Sequence, residues 1–166
     1  SDSDLSINFE INEITKNKII SNIKVLGNDI TEEFVIRNNL LFSEGDIYYD
    51  LKIQQSKDLL QSLNLFKKVS ISKNENINNS SIDLTIYVEE SPTGEISSGI
   101  GVGTTGSSLG FSIKEKNFLG KGLKLDTNLN IGTQQVNGYI NFTDPDFFNS
   151  GNTFASSVFA TKYTYD

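Results

Sequence analysis

The sequence predicts two unlike parts: a small α+β module of order β-α-α-β-β, then an antiparallel β-meander that is the N-terminal part of a transmembrane β-barrel. Three observations carry this. Between Ile96 and Phe142, four successive stretches alternate apolar and polar residues, which gives each strand one greasy and one wet face. Between residues 19 and 90 the apolar pattern instead switches from period two to helical spacing and back. Only 36% of the 166 residues are hydrophobic, which is low for a single well-buried globule and suits strands apolar on one face.

Leu5, Ile7, Phe9 and Ile11 alternate and read as a strand. A second strand fits Ile19–Leu26, ended by the turn pair Gly27-Asn28. Thr31 has the chemistry of a helix N-cap, and Glu32 and Glu33 in the first turn suit the helix dipole. A helix is therefore predicted from there to about Leu41, with Phe34, Val35 and Leu41 on its buried side. Ser43-Glu44-Gly45-Asp46 breaks it. A second helix fits residues 50–63, where Ile53, Leu59, Leu60 and Leu63 form a core-facing stripe. Asn64-Leu65-Phe66 turns into a strand through Val69 and Ile71. The polar run over residues 73–81 reads as a hairpin loop, and Ile82, Leu84, Ile86 and Val88 alternate as the returning strand.

Ser91-Pro92-Thr93-Gly94 punctuates the chain and marks the boundary between the two parts. Beyond it, Ile96, Ile100 and Val102 alternate with Ser97, Gly99, Gly101 and Gly103. Leu109, Phe111 and Ile113 follow, then Leu123, Leu125, Leu129 and Ile131, then Val136, Ile140 and Phe142, each set interleaved with polar residues or glycine. Strands of ~9–11 residues with this pattern and short turns suit a membrane barrel. Lipid cannot satisfy an open sheet edge, so these few strands read as part of something larger. A fifth stretch over residues 153–165 places Phe159, Tyr163 and Tyr165 on one face.

Composition excludes several classes of chemistry. The net charge is −7 and the lysines are scattered, whereas nucleic acid binding needs a basic patch. The absence of Cys and His removes thiolate and imidazole catalysis and their metal sites. No apolar run approaches the ~18 residues of a membrane helix. The chain opens Ser-Asp-Ser-Asp without a signal peptide, so the signal of an exported protein would lie upstream of Ser1. Residues 101–106 fit the Gly-x-Gly-x-x-Gly dinucleotide pattern. That pattern works only where a strand turns into a helix, and residues 107–114 alternate at period two instead. Asp144 and Asp146 flank Pro145 with no third ligand nearby, so they read as a turn rather than a metal or acid–base pair. Phe142, Phe147 and Phe148 would suit an interfacial aromatic girdle there. Asn78-Asn79-Ser80 and Asn141-Phe142-Thr143 match glycosylation sequons by chance in an Asn-rich background. No catalytic, cofactor or metal constellation is expected, and the protein does not read as an enzyme.

With these residues in view, the chain resembles the BamA-type outer-membrane β-barrel assembly proteins, whose barrel is of the D15 surface-antigen type. The phrases carrying the resemblance are Ile23-Lys24-Val25-Leu26-Gly27-Asn28, Val35-Ile36-Arg37, Glu44-Gly45-Asp46, residues 56–60, Leu65-Phe66-Lys67-Lys68-Val69 and residues 88–94. On the barrel side they are Gly99-Ile100-Gly101-Val102-Gly103, residues 117–122 and Thr143-Asp144-Pro145-Asp146-Phe147. Their order and spacing make the match specific. The resemblance implies the final strand of a preceding POTRA domain over residues 1–16, the last POTRA domain over 17–91, and the first four to five barrel strands over 92–166. Earlier POTRA domains, the remaining strands and the family's loop motif inside the barrel do not occur in this sequence.

The resemblance also implies roles. The family's last POTRA contacts an accessory outer-membrane lipoprotein where Arg37 and Glu44 sit; both could equally be solvated surface charges. The strand holding Phe66, Val69 and Ile71 is expected at a sheet edge, able to accept an extended client by β-augmentation. Lys67, Lys68 and Lys73 could instead protect that edge. In the family the first barrel strand pairs with the last in a seam that opens laterally, which falls here on Ile96, Gly99, Ile100, Gly101, Val102 and Gly103. Glycines weaken a strand and suit such a seam, or else relieve crowding. The implied function is assembly and insertion of β-barrel proteins, with unfolded barrel clients, accessory lipoproteins and membrane lipid as partners and no cofactor or nucleic acid. The barrel part would sit in the bacterial outer membrane and the POTRA part in the periplasm. A related two-partner secretion transporter is the nearest alternative, and a soluble periplasmic binding module is the second.

Overall fold

The computed structural model describes residues 18–76, 80–104 and 106–164. The strand expected over residues 5–11 and the position of Tyr165 lie outside them. The first part contains β1 (Ile19–Leu26), α1 (Glu33–Arg37), α2 (Asp50–Ser62), β2 (Phe66–Asn76) and β3 (Ser81–Glu90). Its sheet has the order β1-β3-β2, with β1 parallel and β2 antiparallel to β3. The central strand explains the order. Ile82, Leu84, Ile86 and Val88 are all buried, because alternate side chains of a middle strand all face the helices. Ile20 and Ile23 from β1, Val35 and Ile36 from α1, Leu60 from α2, and Phe66 and Val69 from β2 complete the core. The buried Ser56 is satisfied by accepting the Leu41 amide at 2.8 Å.

Four expectations are corrected here. The first helix is five residues and does not run on to Leu41. It ends at Arg37 because Asn39 turns its side-chain amide onto the Val35 carbonyl at 2.8 Å, the local competition that keeps Asn out of helix interiors. Phe34 and Leu41, expected inside, are exposed; Val35 is buried as expected, together with Ile36. Thr31 is not its cap. Glu32 holds the N-cap position without a side-chain bond, and Thr31 is engaged elsewhere. Residues 73–76, expected in a loop, continue β2, with Lys73 opposite Leu84 and Glu75 opposite Ile82. Polar side chains hid the strand, yet its ladder is backbone-made and Glu75 is held by Lys18 across the sheet at 2.5 Å.

The second part is a meander of β4 (Gly94–Gly103), β5 (Gly106–Phe118), β6 (Leu123–Gly132), β7 (Gln135–Asp144) and β8 (Phe154–Tyr163), each antiparallel to the next. A 3-10 turn at Phe147–Asn149 joins the last two. Register follows the sequence pattern. Ile100 opposes Leu109, Leu109 opposes Ile131 and Ile131 opposes Val136. Because facing residues share a side of the sheet, one face is apolar across all these strands. The other carries Ser112, Asn128, Asn130, Asn137 and Asn141. Phe159 opposes Tyr139 and Tyr163 opposes Gln135, so these two rings lie on the polar face, while Val158 and Phe154 continue the apolar one. No helix among the described residues is long and apolar enough to cross a membrane, which says nothing of a barrel.

Candidate functional site: two open strand edges and the joint between them

Strand β4 is the first edge. It pairs with β5 on one side and lies at the end of the sheet order. Ile96, Ile100 and Val102 are more than 80% exposed. A side chain at Gly99 or Gly103 would meet no atom within 4 Å, and at Gly101 only the Ser108 hydroxyl. Crowding among the described residues therefore does not require these glycines. Gly101, Val102 and Gly103 pair with Ser108, Ser107 and Gly106 of the next strand rather than leading into a helix, which removes the geometry a dinucleotide would need.

Strand β2 is the second edge, pairing only with β3. Phe66 and Val69 are buried and Ile71 is partly so. Their side chains belong to the core, and what the edge offers is main chain. Lys67 is drawn to Glu89 at 3.0 Å, and the Lys73 ammonium lies 5.2 Å from the Tyr48 ring centre. Both lysines are thus committed to partners within the domain. Beside this edge, a groove of about 340 Å³ is lined by Tyr48, Ile53, Ile71 and Lys73. Burial, and then the 2.5 Å bond from its hydroxyl to Asp50, push the Tyr48 phenol up to about 12. The fold favours the protonated phenol, so this contribution is complete below pH 10 and lost as pH rises through 12. Alkaline titration of phenolate absorbance should show one tyrosine ionising near pH 12 that is missing in Tyr48→Phe.

Arg37 and Glu44 do come together. The guanidinium bonds Glu33 at 2.6 Å and Glu44 at 2.9 Å and donates to the Ile23 carbonyl at 2.7 Å. The Arg37 hydrogen bond is the largest cause holding the Glu44 carboxyl below its usual range.

The joint was not anticipated from the sequence. Asn117, in β5, donates from Nδ2 to the Thr31 hydroxyl at 2.9 Å and accepts the Gly122 amide on Oδ1 at 2.7 Å. Both Asn117 and Thr31 are buried, at 5% and 2% exposure. The Glu32 amide donates to the Gly120 carbonyl at 2.8 Å. Glu90 accepts the amides of Ile30 and Thr31 at 2.9 and 2.5 Å. Gly120 has φ +73°, and a Cβ there would lie 2.1 Å from the Ile30 carbonyl oxygen. The two domains therefore meet backbone to backbone, and only glycine fits. Two glycines around Lys121 in so short a turn were the available signal.

A second contact flanks the first. Asn38 donates to Asn149 at 2.7 Å. Asp144 and Asp146 act as turn formers: Asp144 accepts the Asp146 amide at 3.1 Å and Asp146 the Gly151 amide at 2.9 Å. Between the two contacts lies a cleft of about 490 Å³ lined by Phe34, Leu63, Leu65, Leu123 and Phe148. No group of three potential metal ligands occurs among the described residues.

Comparison with known proteins fits this architecture. Residues 18–91 match the POTRA family, described as a surface antigen variable number repeat, and residues 117–166 match the Omp85 superfamily domain. The chain is 27% identical over 164 residues to outer membrane protein assembly factor BamA of Buchnera aphidicola, covering 98% of this chain and 26% of that protein. It is 31% identical over 146 residues to BamA of Neorickettsia risticii, covering 87% and 20% respectively. The crystal structure of BamA from Haemophilus ducreyi lacking POTRA domains 1–3 superimposes with a TM-score of 0.76 at 26% identity. That match covers 90% of this chain and 28% of the other. The chain thus spans roughly a quarter or less of the length of the curated relatives it matches.

Proposed function

We infer the role of this chain from its place in the Omp85 superfamily, where it joins a POTRA domain to the opening strands of a BamA-type barrel. It serves the assembly and insertion of β-barrel proteins into the bacterial outer membrane, with its barrel strands in that membrane and its POTRA domain in the periplasm. Residues 17–91 act as the last POTRA domain and 92–166 as the first barrel strands. Unfolded barrel precursors dock on β2 by main-chain pairing, which tolerates many sequences. Strand β4 then serves as the lateral seam that admits or templates them, and pairing every edge in lipid drives insertion. The exposed side of the Glu33–Arg37–Glu44 cluster faces an accessory outer-membrane lipoprotein, and membrane lipid covers the apolar strand face.

The observation that supports this reading is the joining of two parts through Thr31 and Asn117: a three-stranded sheet with β2 at its edge, and a meander whose first strand, β4, carries Gly99 and Gly103 beside open space. The chemistry needs no nucleotide and no catalytic residue. The test strengthens the seam. Gly99 and Gly103 have open space beside them, so Gly99→Val with Gly103→Val should fit. Each removed strand glycine stabilises by ~0.5–1 kcal/mol. In the full-length protein reconstituted in liposomes, client insertion should slow by roughly 5- to 30-fold while the barrel itself stays folded. An unchanged insertion rate would reject the seam.

A further inference from the structure

We propose that Arg37 seals the β1 edge of the POTRA sheet, leaving β2 as its only edge open to an added strand; this rests on the reading of β2 as a client edge. A sheet of order β1-β3-β2 has two edges, and an extended chain can add to either. The first half of the β1 edge is occupied by the chain's own backbone. The Gly45 amide donates to the Ile20 carbonyl at 2.8 Å, the Ile20 amide to the Asp46 carbonyl at 2.9 Å, and the Tyr48 amide to the Lys18 carbonyl at 2.8 Å. Ile47 forms an antiparallel bridge with Ile19. Residues 45–48 thus lie along the edge as a short added strand, and this cover stops before Asn22.

Arg37 takes over where it stops. Its Nη2 donates to the Ile23 carbonyl at 2.7 Å, while Nε and Nη1 bond Glu33 and Glu44. Every guanidinium nitrogen has a partner, and two carboxylates on either flank fix the plane of the group. Ion pairs this exposed contribute little stability, so stability is a poor account of the arrangement. A charge locked onto a strand-edge carbonyl is a known deterrent to strand addition. Strand β2 has the opposite treatment: among the described residues, no backbone group of 67–75 bonds outside the sheet. A client therefore adds only on the side of α2, next to the groove at Tyr48 and Ile71.

The test uses the full-length protein in detergent and a synthetic peptide copying residues 136–143, a barrel strand of this chain. Amide hydrogen exchange is followed in segments 22–26 and 66–76 with and without peptide. In the unaltered protein the peptide should slow exchange in 66–76 only. In Arg37→Ala, protection of about tenfold should also arise in 22–26, and bound peptide should rise by about one per chain. Glu33→Gln with Glu44→Gln, which frees Arg37 without removing it, should move the same way by a smaller amount and stands in if Arg37→Ala does not fold. Peptide protection of 22–26 in the unaltered protein would overturn the proposal, as would its absence in both variants. Absence of protection in 66–76 would instead reject β2 as the client edge, and gain at 22–26 in the variants would then leave the seal standing.

Discussion

Leu129→Arg in the full-length protein should abolish insertion into lipid vesicles, while Asn128→Arg at the same depth should leave insertion near that of the unaltered protein. Leu129 faces Phe111 on one neighbour and Gly138 on the other, at the middle of the apolar face. Asn128 faces Ser112 and Tyr139 on the opposite face. A charge facing lipid at the membrane midplane costs about 2–4 kcal/mol, whereas a lumen-facing substitution costs far less. Folding yield in vesicles, read by urea titration, measures the difference. Equal losses would mean the apolar face packs against protein on both sides and the sheet is not a membrane wall.

The second large effect is expected at the joint. Asn117→Ala strands the buried Thr31 hydroxyl and the part-buried Gly122 amide, losing two bonds at once. An unsatisfied buried polar group costs ~1–3 kcal/mol, so losing the Thr31 bond should loosen the docking of POTRA onto barrel by roughly that, while losing the Gly122 bond slackens the turn between β5 and β6. Gly120→Val acts by another route, since its Cβ would collide with the Ile30 backbone at a positive φ that a β-branched residue resists. Spin labels on α2 and on β6 should report a narrow distance distribution in the unaltered protein and a broad one in either variant. The POTRA core itself, built on Ile82, Leu84 and Ile86, should melt as before. A narrow, unshifted distribution in both variants would show that the domains are held by something else. Thr31→Val, which removes only the hydroxyl, should give an intermediate breadth.

The two parts differ in how much of them the sequence discloses. Strand pairing in the meander was legible because parity alone determines face: once Leu109, Phe111 and Ile113 share a side, their partners Ile131, Leu129 and Thr127 must as well. The first helix was not legible, because its length is decided by Asn39 bonding back to Val35 rather than by any apolar period. Thr31 followed the local rule for a helix cap and lost to a partner 86 positions away. Local patterning sees nothing at that separation. Residues 73–76 failed differently: Lys73, Asn74, Glu75 and Asn76 carry no strand signal, and the ladder with β3 extends through them by backbone pairing. The edges of β2 and β4 were foreseen, but the covering of β1 by residues 45–48 was not, since Gly45-Asp46 reads simply as a turn.

The central claim is that β4 is a working edge, and disulfide crosslinking tests it directly, since these 166 residues contribute no competing cysteine. Single substitutions Ile96→Cys, Ile100→Cys and Val102→Cys in the full-length protein, with matching ones at Val136 and Ile140 in β7 as controls, can be paired with a client carrying one cysteine in its terminal strand. During assembly, disulfides should form between the client and each β4 position in a fixed register, and not with β7, which is paired on both sides. Equal crosslinking of β4 and β7, or none at β4 while the client still inserts, would contradict the account.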